Sequence, residues 1–307
     1  MRLGVDLGGT KIEIVALDER GDIVLRQRAG TPKEDYAAVV SAVRDLVLAA
    51  EAELGSRGSL GVAIPGVIST KTGLVKNSNA THLIGHPLDR DLAAALSRPV
   101  RVANDADCFV LSEATDGAAA DYEVVFGIIA GTGIGGGICV RGNVLTGAHS
   151  IAGEWGHNPL PAPYADETPG PLCYCGRRGC IESWVSGPAF ARQFQCETGR
   201  KLTAAQIADL AAAGNASATA AMERFLDRFA RAIGTLINIL DPDAIVLGGG
   251  LSNIDALYRE LPDRVTAYAF APEAPARILK NRHGDSSGVR GAAWLWRQDA
   301  MAEPVPW

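Results

Sequence analysis

Three cysteines stand within eight residues, Cys173-Tyr174-Cys175-Gly176-Arg177-Arg178-Gly179-Cys180, and His157 lies upstream of them. Three thiolates and one imidazole make the donor set of a closed tetrahedral zinc site, which leaves no position for a substrate and so has a structural role. Buried core cysteines or a disulfide are the competing readings. A tight cysteine cluster in a chain with no secretory pattern favours metal. Two carboxylates flank the cluster: Glu154, in Gly153-Glu154-Trp155-Gly156-His157, and Glu182, two residues past Cys180. A carboxylate can accept hydrogen bonds from two hydroxyls, which suits a sugar. Singly, each is also an ordinary solvated acid.

Three glycine-rich turns each follow an apolar run: Asp6-Leu7-Gly8-Gly9-Thr10-Lys11, Gly131-Thr132-Gly133-Ile134-Gly135-Gly136-Gly137 and Gly248-Gly249-Gly250. Glycine lets backbone N–H groups approach a phosphate closely, and threonine adds a hydroxyl. Any one of them is as well read as a hairpin; three together point to a nucleotide. A P-loop or dinucleotide fingerprint would lead into a helix. Here Ile12-Glu13-Ile14-Val15 and Ile138-Cys139-Val140 continue as strand.

Asn104-Asp105 stands where an apolar strand hands over to a helix. One reading is a helix cap. The other makes Asp105 a general base that takes the proton of a hydroxyl as it attacks a phosphorus, an effect of about 10²–10⁴ in rate. Asp6, at the end of the first strand, suits a water-mediated Mg²⁺ contact.

The elements that must hold these groups follow from periodicity. Strands are expected at Leu3–Val5, Ile12–Leu17, Ile23–Arg28, Ser59–Ile64, Val100–Ala103, Val124–Ala130, Gly137–Arg141 and Ala244–Leu247. Helices are expected at Asp35–Glu53, Leu88–Leu96, Asp105–Ala114, between Pro188 and Leu240, and about Val289–Gln298. The tail Glu303–Pro306 reads as frayed. Strand, glycine turn and strand recur at 3–17 and 124–141, which suggests two related halves. The 307 residues allow two domains, and their net charge of −6 argues against nucleic acid as a partner. The N-terminus has no signal-peptide pattern, and no apolar run approaches the roughly 20 residues of a membrane span, so a cytoplasmic location is expected.

Taken jointly, Asp6–Lys11, Ile64-Pro65-Gly66, Ala103–Ala106, Gly131–Gly137, Gly153–His157, Cys173–Glu182 and Asp241–Gly250 resemble the ROK family (repressor, open reading frame, kinase) of the actin/hexokinase superfamily. The resemblance spans essentially the whole chain. It implies an α/β fold of two actin-like (ribonuclease H-like) domains with mixed sheets and a cleft. The small domain would be 1–104 plus 289–307; the large one, 105–288, would carry the zinc loop and dimer-forming helices. It implies ATP and Mg²⁺ on Asp6, Gly8, Gly9, Thr10, Lys11, Thr132, Gly133, Gly248, Gly249 and Gly250. It implies a sugar against Gly66, Asn79, Asn104, Asp105, Glu154, His157 and Glu182, with Asp105 as the base. His157 would serve both zinc and sugar, one through each ring nitrogen. Family members are usually homodimers.

ROK repressors carry a helix-turn-helix ahead of the first glycine turn, whereas this sequence starts at that turn, so the enzyme is expected. Ala152–Pro161 and His283–Trp296 are most similar to bacterial fructokinases, also called mannokinases. The expected reaction is therefore ATP-dependent phosphorylation of the 6-hydroxyl of D-fructose, with mannose or glucose as further acceptors. An N-acetylglucosamine kinase of the same family is the alternative, and a non-catalytic sugar sensor is the alternative of another class.

Overall fold

The structure is a computed structural model, which describes residues 1–32, 35–270, 276–284 and 287–296. The tail Glu303–Pro306 and the expected helix end at Gln298 lie outside the described residues. The chain opens with β1 (Arg2–Leu7), β2 (Lys11–Leu17), β3 (Ile23–Gly30), α1 (Tyr36–Leu54), β4 (Ser59–Ile64), β5 (Val67–Ile68), β6 (Val75–Lys76), α2 (Leu88–Leu96), β7 (Val100–Asn104) and α3 (Asp105–Thr115). It continues with β8 (Val124–Ala130), β9 (Ile134–Val140), β10 (Asn143–Val144), α4 (Glu182–Val185), α5 (Gly187–Thr198), α6 (Ala204–Ala212) and α7 (Ala216–Leu240). It closes with β11 (Ala244–Gly248), α8 (Ala256–Arg259), α9 (Leu261–Thr266), β12 (Ile278–Lys280) and α10 (Ser287–Trp294).

Two five-stranded sheets form, in the orders β3-β2-β1-β4-β7 and β10-β9-β8-β11-β12. In each, the first strand pairs antiparallel with the second and parallel with the fourth, and the fourth pairs parallel with the fifth. The repetition seen in the sequence is thus a repetition of topology, and both sheets are mixed as expected.

By packing, the chain divides into two compact units. The first holds Met1–Ala120, Gly142–Ile151 and the described residues 287–296. The second holds Asp121–Arg141 and the described residues of Ala152–Gly284.

In the first unit, α1 buries Val39, Val43, Val47 and Ala50, the stripe that a 3.6-residue period puts on one face. Asp35 caps its start by accepting from the Ala38 N–H at 3.0 Å, and Gly55 ends it in the left-handed region. Helix α10 lies directly on the sheet at Gly4 and Gly61: a Cβ on either would strike the α10 backbone. In the second unit, α7 buries Phe225, Leu226, Phe229 and Ile233 against the core.

Strand β9 starts at Ile134, three residues before the expected Gly137. Its Gly135-Gly136-Gly137 is ladder rather than turn, paired with Gly127, Ile128 and Ile129 of β8. Period reading misses this because glycine carries no hydrophobic signal. Among the described residues, no helix is long and apolar enough to cross a membrane.

Candidate active site

In the first unit, β1 and β2 meet in a tight hairpin closed by the Gly8 N–H donating to the Lys11 carbonyl at 3.0 Å. Thr31, which the sequence does not single out, clamps this tip from the side. Its hydroxyl donates to the Gly8 carbonyl at 2.7 Å and its N–H to the Thr10 carbonyl at 3.1 Å. Gly9, Thr10 and Lys11 are exposed, and Gly9 has open space where a side chain would stand. Asp6 is half-buried beneath the tip. Burial, then the nearby Glu13 carboxylate, push its pKa up, while Lys11 pulls it down. A bound cation would reverse that shift.

At the β7–α3 junction, Asn104 is the cap residue and Asp105 opens the helix. The Ala106 N–H donates to Asn104 Oδ1 at 2.9 Å and to Asp105 Oδ1 at 2.8 Å. Asn104 Nδ2 donates to the Gly66 carbonyl at 3.3 Å. Gly66 packs on Ser78: a Cβ there would sit 2.9 Å from Ser78 Cβ. Asn79 follows Ser78 and is exposed. Gly66, Asn104 and Asp105 therefore form one group, with Asn79 at its edge.

In the second unit, the Gly131 N–H donates to the Gly133 carbonyl at 3.0 Å, leaving Thr132 exposed at the tip of the β8–β9 hairpin. Gly249 has φ +78°, and a Cβ on it would lie 2.5 Å from the Ala130 carbonyl oxygen, so only glycine fits. That close approach draws Gly248-Gly249-Gly250 against the end of β8. A cavity of about 360 Å³ opens beside Gly250, lined among others by Ala208, Met222, Asn253, Ile254 and Ala256. None of these last five carries a motif that sequence could flag.

The glycines of β9 make room for the loop that bears Glu154 and His157. A Cβ on Gly136 would strike the Gly153 carbonyl at 2.7 Å and the Trp155 ring at 2.8 Å. The Trp155 indole donates to the Gly135 carbonyl at 3.3 Å. Glu182, first residue of α4, accepts the Ile134 N–H at 2.9 Å, and its carboxylate fills the place of a Gly133 side chain. Glu182 thus ties the cysteine cluster to the glycine turn, a role that spacing does not reveal.

His157, Cys173, Cys175 and Cys180 each turn one donor atom inward, all within 4.8 Å of one another. His157 Nδ1 lies 3.6 Å from Cys173 Sγ, and Cys175 Sγ lies 3.6 Å from Cys180 Sγ. Ligands about 2.0–2.3 Å from a tetrahedral zinc ion lie roughly 3.5–3.8 Å apart, so the donor set and its spacing fit that ion. The other imidazole nitrogen, Nε2, is 2.9 Å from the Tyr174 hydroxyl. Partial desolvation, then the charges of Glu182 and Glu154, push the Tyr174 phenol up to about 12. Both carboxylates are thus near enough to act on the phenol that lies against this nitrogen.

The fold and these residues define a class, and comparison with known proteins names it. The ROK family profile matches residues 2–299, and the chain belongs to that family. It is 42% identical over 299 residues to an N-acetyl-D-glucosamine kinase of Yersinia pseudotuberculosis, covering 96% of this chain and 98% of the relative. Its fold is similar to that of a ROK hexokinase from Thermus thermophilus, at TM-score 0.83 and 30% identity over 95% of this chain and 96% of the other. It is also similar to a ROK family glucokinase from Streptomyces griseus solved with glucose and AMPPNP, at TM-score 0.75 and 27% identity over 97% and 99%.

Proposed function

We propose that the protein transfers the γ-phosphoryl group of ATP to the 6-hydroxyl of a hexose, with N-acetyl-D-glucosamine as the first candidate acceptor. What supports the reading is that Glu154 directly precedes the turn bearing His157, while Glu182, two residues past Cys180, accepts the Ile134 N–H and so joins the cysteine cluster to the glycine turn. Three groups that accept or share hydrogen bonds suit the several hydroxyls of a pyranose or furanose. Asp105 is the base that takes the proton of the attacking hydroxyl. The Ala106 N–H holds that carboxylate, Asn104 caps the same turn and donates to the Gly66 carbonyl, and Asn79 adds a sugar contact.

Phosphoryl transfer asks mainly for positioning and charge neutralisation. The exposed backbone of Gly8–Lys11 and of Thr132-Gly133, with Gly248–Gly250, supplies the phosphate donors. The cavity beside Gly250 suits the adenosine end of ATP. Magnesium prefers one or two carboxylates plus phosphate oxygens and waters, and Asp6 fits that role. Zn²⁺ on His157, Cys173, Cys175 and Cys180 would hold the sugar loop, and its closed donor set excludes a part in the chemistry. The active species is read as a homodimer.

Relatives at 40–42% identity, which are N-acetyl-D-glucosamine kinases, support the choice of acceptor. Fructose is kept as a second reading because Ala152–Pro161, the stretch that bears Glu154 and His157, is most similar to fructokinases. Coupled ADP release with N-acetylglucosamine, fructose, mannose, glucose and N-acetylmannosamine decides between them by kcat/KM. No sugar-dependent ADP with any of the five would end the kinase reading and leave a sugar sensor.

A further inference from the structure

A buried ion network in the second unit takes no part in the chemistry assigned above. Glu167 sits midway along the loop between His157 and Cys173 and is only 4% exposed. Its Oε1 accepts from Arg228 Nε at 2.7 Å and from Arg231 Nη2 at 2.8 Å, and its Oε2 accepts from Arg231 Nη1 at 2.8 Å. Both arginines belong to α7. Arg231 also donates to the carbonyls of Pro161, at 3.1 Å, and Ala162, at 2.8 Å.

Arg228 reaches further. Its guanidinium lies over the Trp184 ring at 4.5 Å from the centroid. Its second arm donates to Gln193 Oε1, and Gln193 Nε2 donates to the Trp184 carbonyl at 3.0 Å. Trp184 is two residues after Glu182, on the single turn of α4. One guanidinium therefore holds the cysteine loop through Glu167 and the turn that presents Glu182 through Trp184.

Burying charges is a poor way to gain stability, since apolar residues of like volume serve as well or better. What a forked, planar group adds is direction. The loop needs it: apart from one short turn at Ala165–Glu167 and the isolated bridges Pro159–Cys180 and Leu172–Arg178, residues 158–180 form no regular structure.

We infer that Arg228 is a positioning residue for the sugar site, holding the Glu182 turn and the His157–Cys173 loop in mutual register through Trp184, Gln193 and Glu167. The inference rests on the assignment of Glu182 and His157 to the sugar. The test compares Arg228→Met with the milder Gln193→Met, which removes the hydrogen-bonded part of the link to α4, leaves the guanidinium on the Trp184 ring and leaves no charge unpaired. Hydrogen exchange of the full chain, read by mass spectrometry, reports the fastening, and steady-state kinetics with the best acceptor report its use. In both variants, amides of 158–186 should exchange faster while those of β8 do not change. The sugar KM should rise about tenfold or more, with the ATP KM and kcat within about twofold of the parent. Unchanged exchange in folded variants overturns the inference, and so does an equal rise in both KM values. Should the parent release no sugar-dependent ADP, the sugar assignment fails separately. Exchange then still decides: a faster segment supports the fastening, an unchanged one ends it.

Discussion

Asp105 and Tyr174 show how two side chains can be assigned different duties by what they touch. Asp105 opens α3, where the Ala106 N–H already donates to its Oδ1. Asn104 supplies the cap, so the start of the helix does not depend on the Asp105 charge for it. Asp105→Asn should therefore fold normally and lose at least about 10² in kcat; circular dichroism and single-turnover kinetics check both halves. Near-parental turnover would remove the assigned base. The Tyr174 hydroxyl sits on His157 Nε2, the nitrogen left facing away from the cysteines. A sugar hydroxyl that takes this nitrogen must displace the phenol. Tyr174→Phe is then expected to lower the sugar KM by roughly 2–10-fold, the worth of one ordinary hydrogen bond, at constant kcat. A higher KM would mean that the phenol itself touches sugar.

At the scale of elements, the loop between His157 and Cys173 is fastened by charge. Burial pushes the Glu167 carboxyl up, but hydrogen bonds from Arg231 and Arg228 outweigh it and hold the pKa at about 2. A carboxyl lowered in the folded state contributes stability above its unfolded pKa of about 4.3, and that stability is lost as pH falls towards 2. Urea denaturation between pH 7 and 3 should show this loss in the parent and a flatter profile in Glu167→Gln. At pH 7 that variant should be less stable by up to about 3–5 kcal/mol, since Arg228 loses its carboxylate partner, while Arg231 keeps Asp227. This network was illegible in the sequence. Arg228 is 61 residues from Glu167 and reads as one more charge on a helix face. The cysteine cluster was legible because its spacing is local. The helices Asp35–Glu53 and Leu88–Leu96 were legible because their apolar stripes are long. The start of β9 was not, since Ile134-Gly135-Gly136 lacks the alternation that marks a strand, and β12 is only three residues long. Thr31 reaches the Gly8 tip, and Asn253 the cavity beside Gly250, only through tertiary approach, which spacing does not encode.

For the whole molecule, the sequence resemblance reads two copies as the working form. Sedimentation equilibrium at twice the 32.1 kDa chain mass would support that reading, and a particle of 32.1 kDa would end it. The two sheets share one strand order, and in each the first hairpin ends in a glycine-bearing tip, Gly8–Lys11 in one, exposed from Gly9 on, and Gly131–Gly133 in the other, exposed at Thr132. Below each tip the strands are anchored by buried apolar residues such as Ile12, Ile14, Phe126 and Ile128. Anchoring and tip chemistry are therefore separable. On the proposed reading of the tips as phosphate grips, selection can retune which phosphoryl donor is held by exchanging a few solvent-facing residues there, and leave folding untouched.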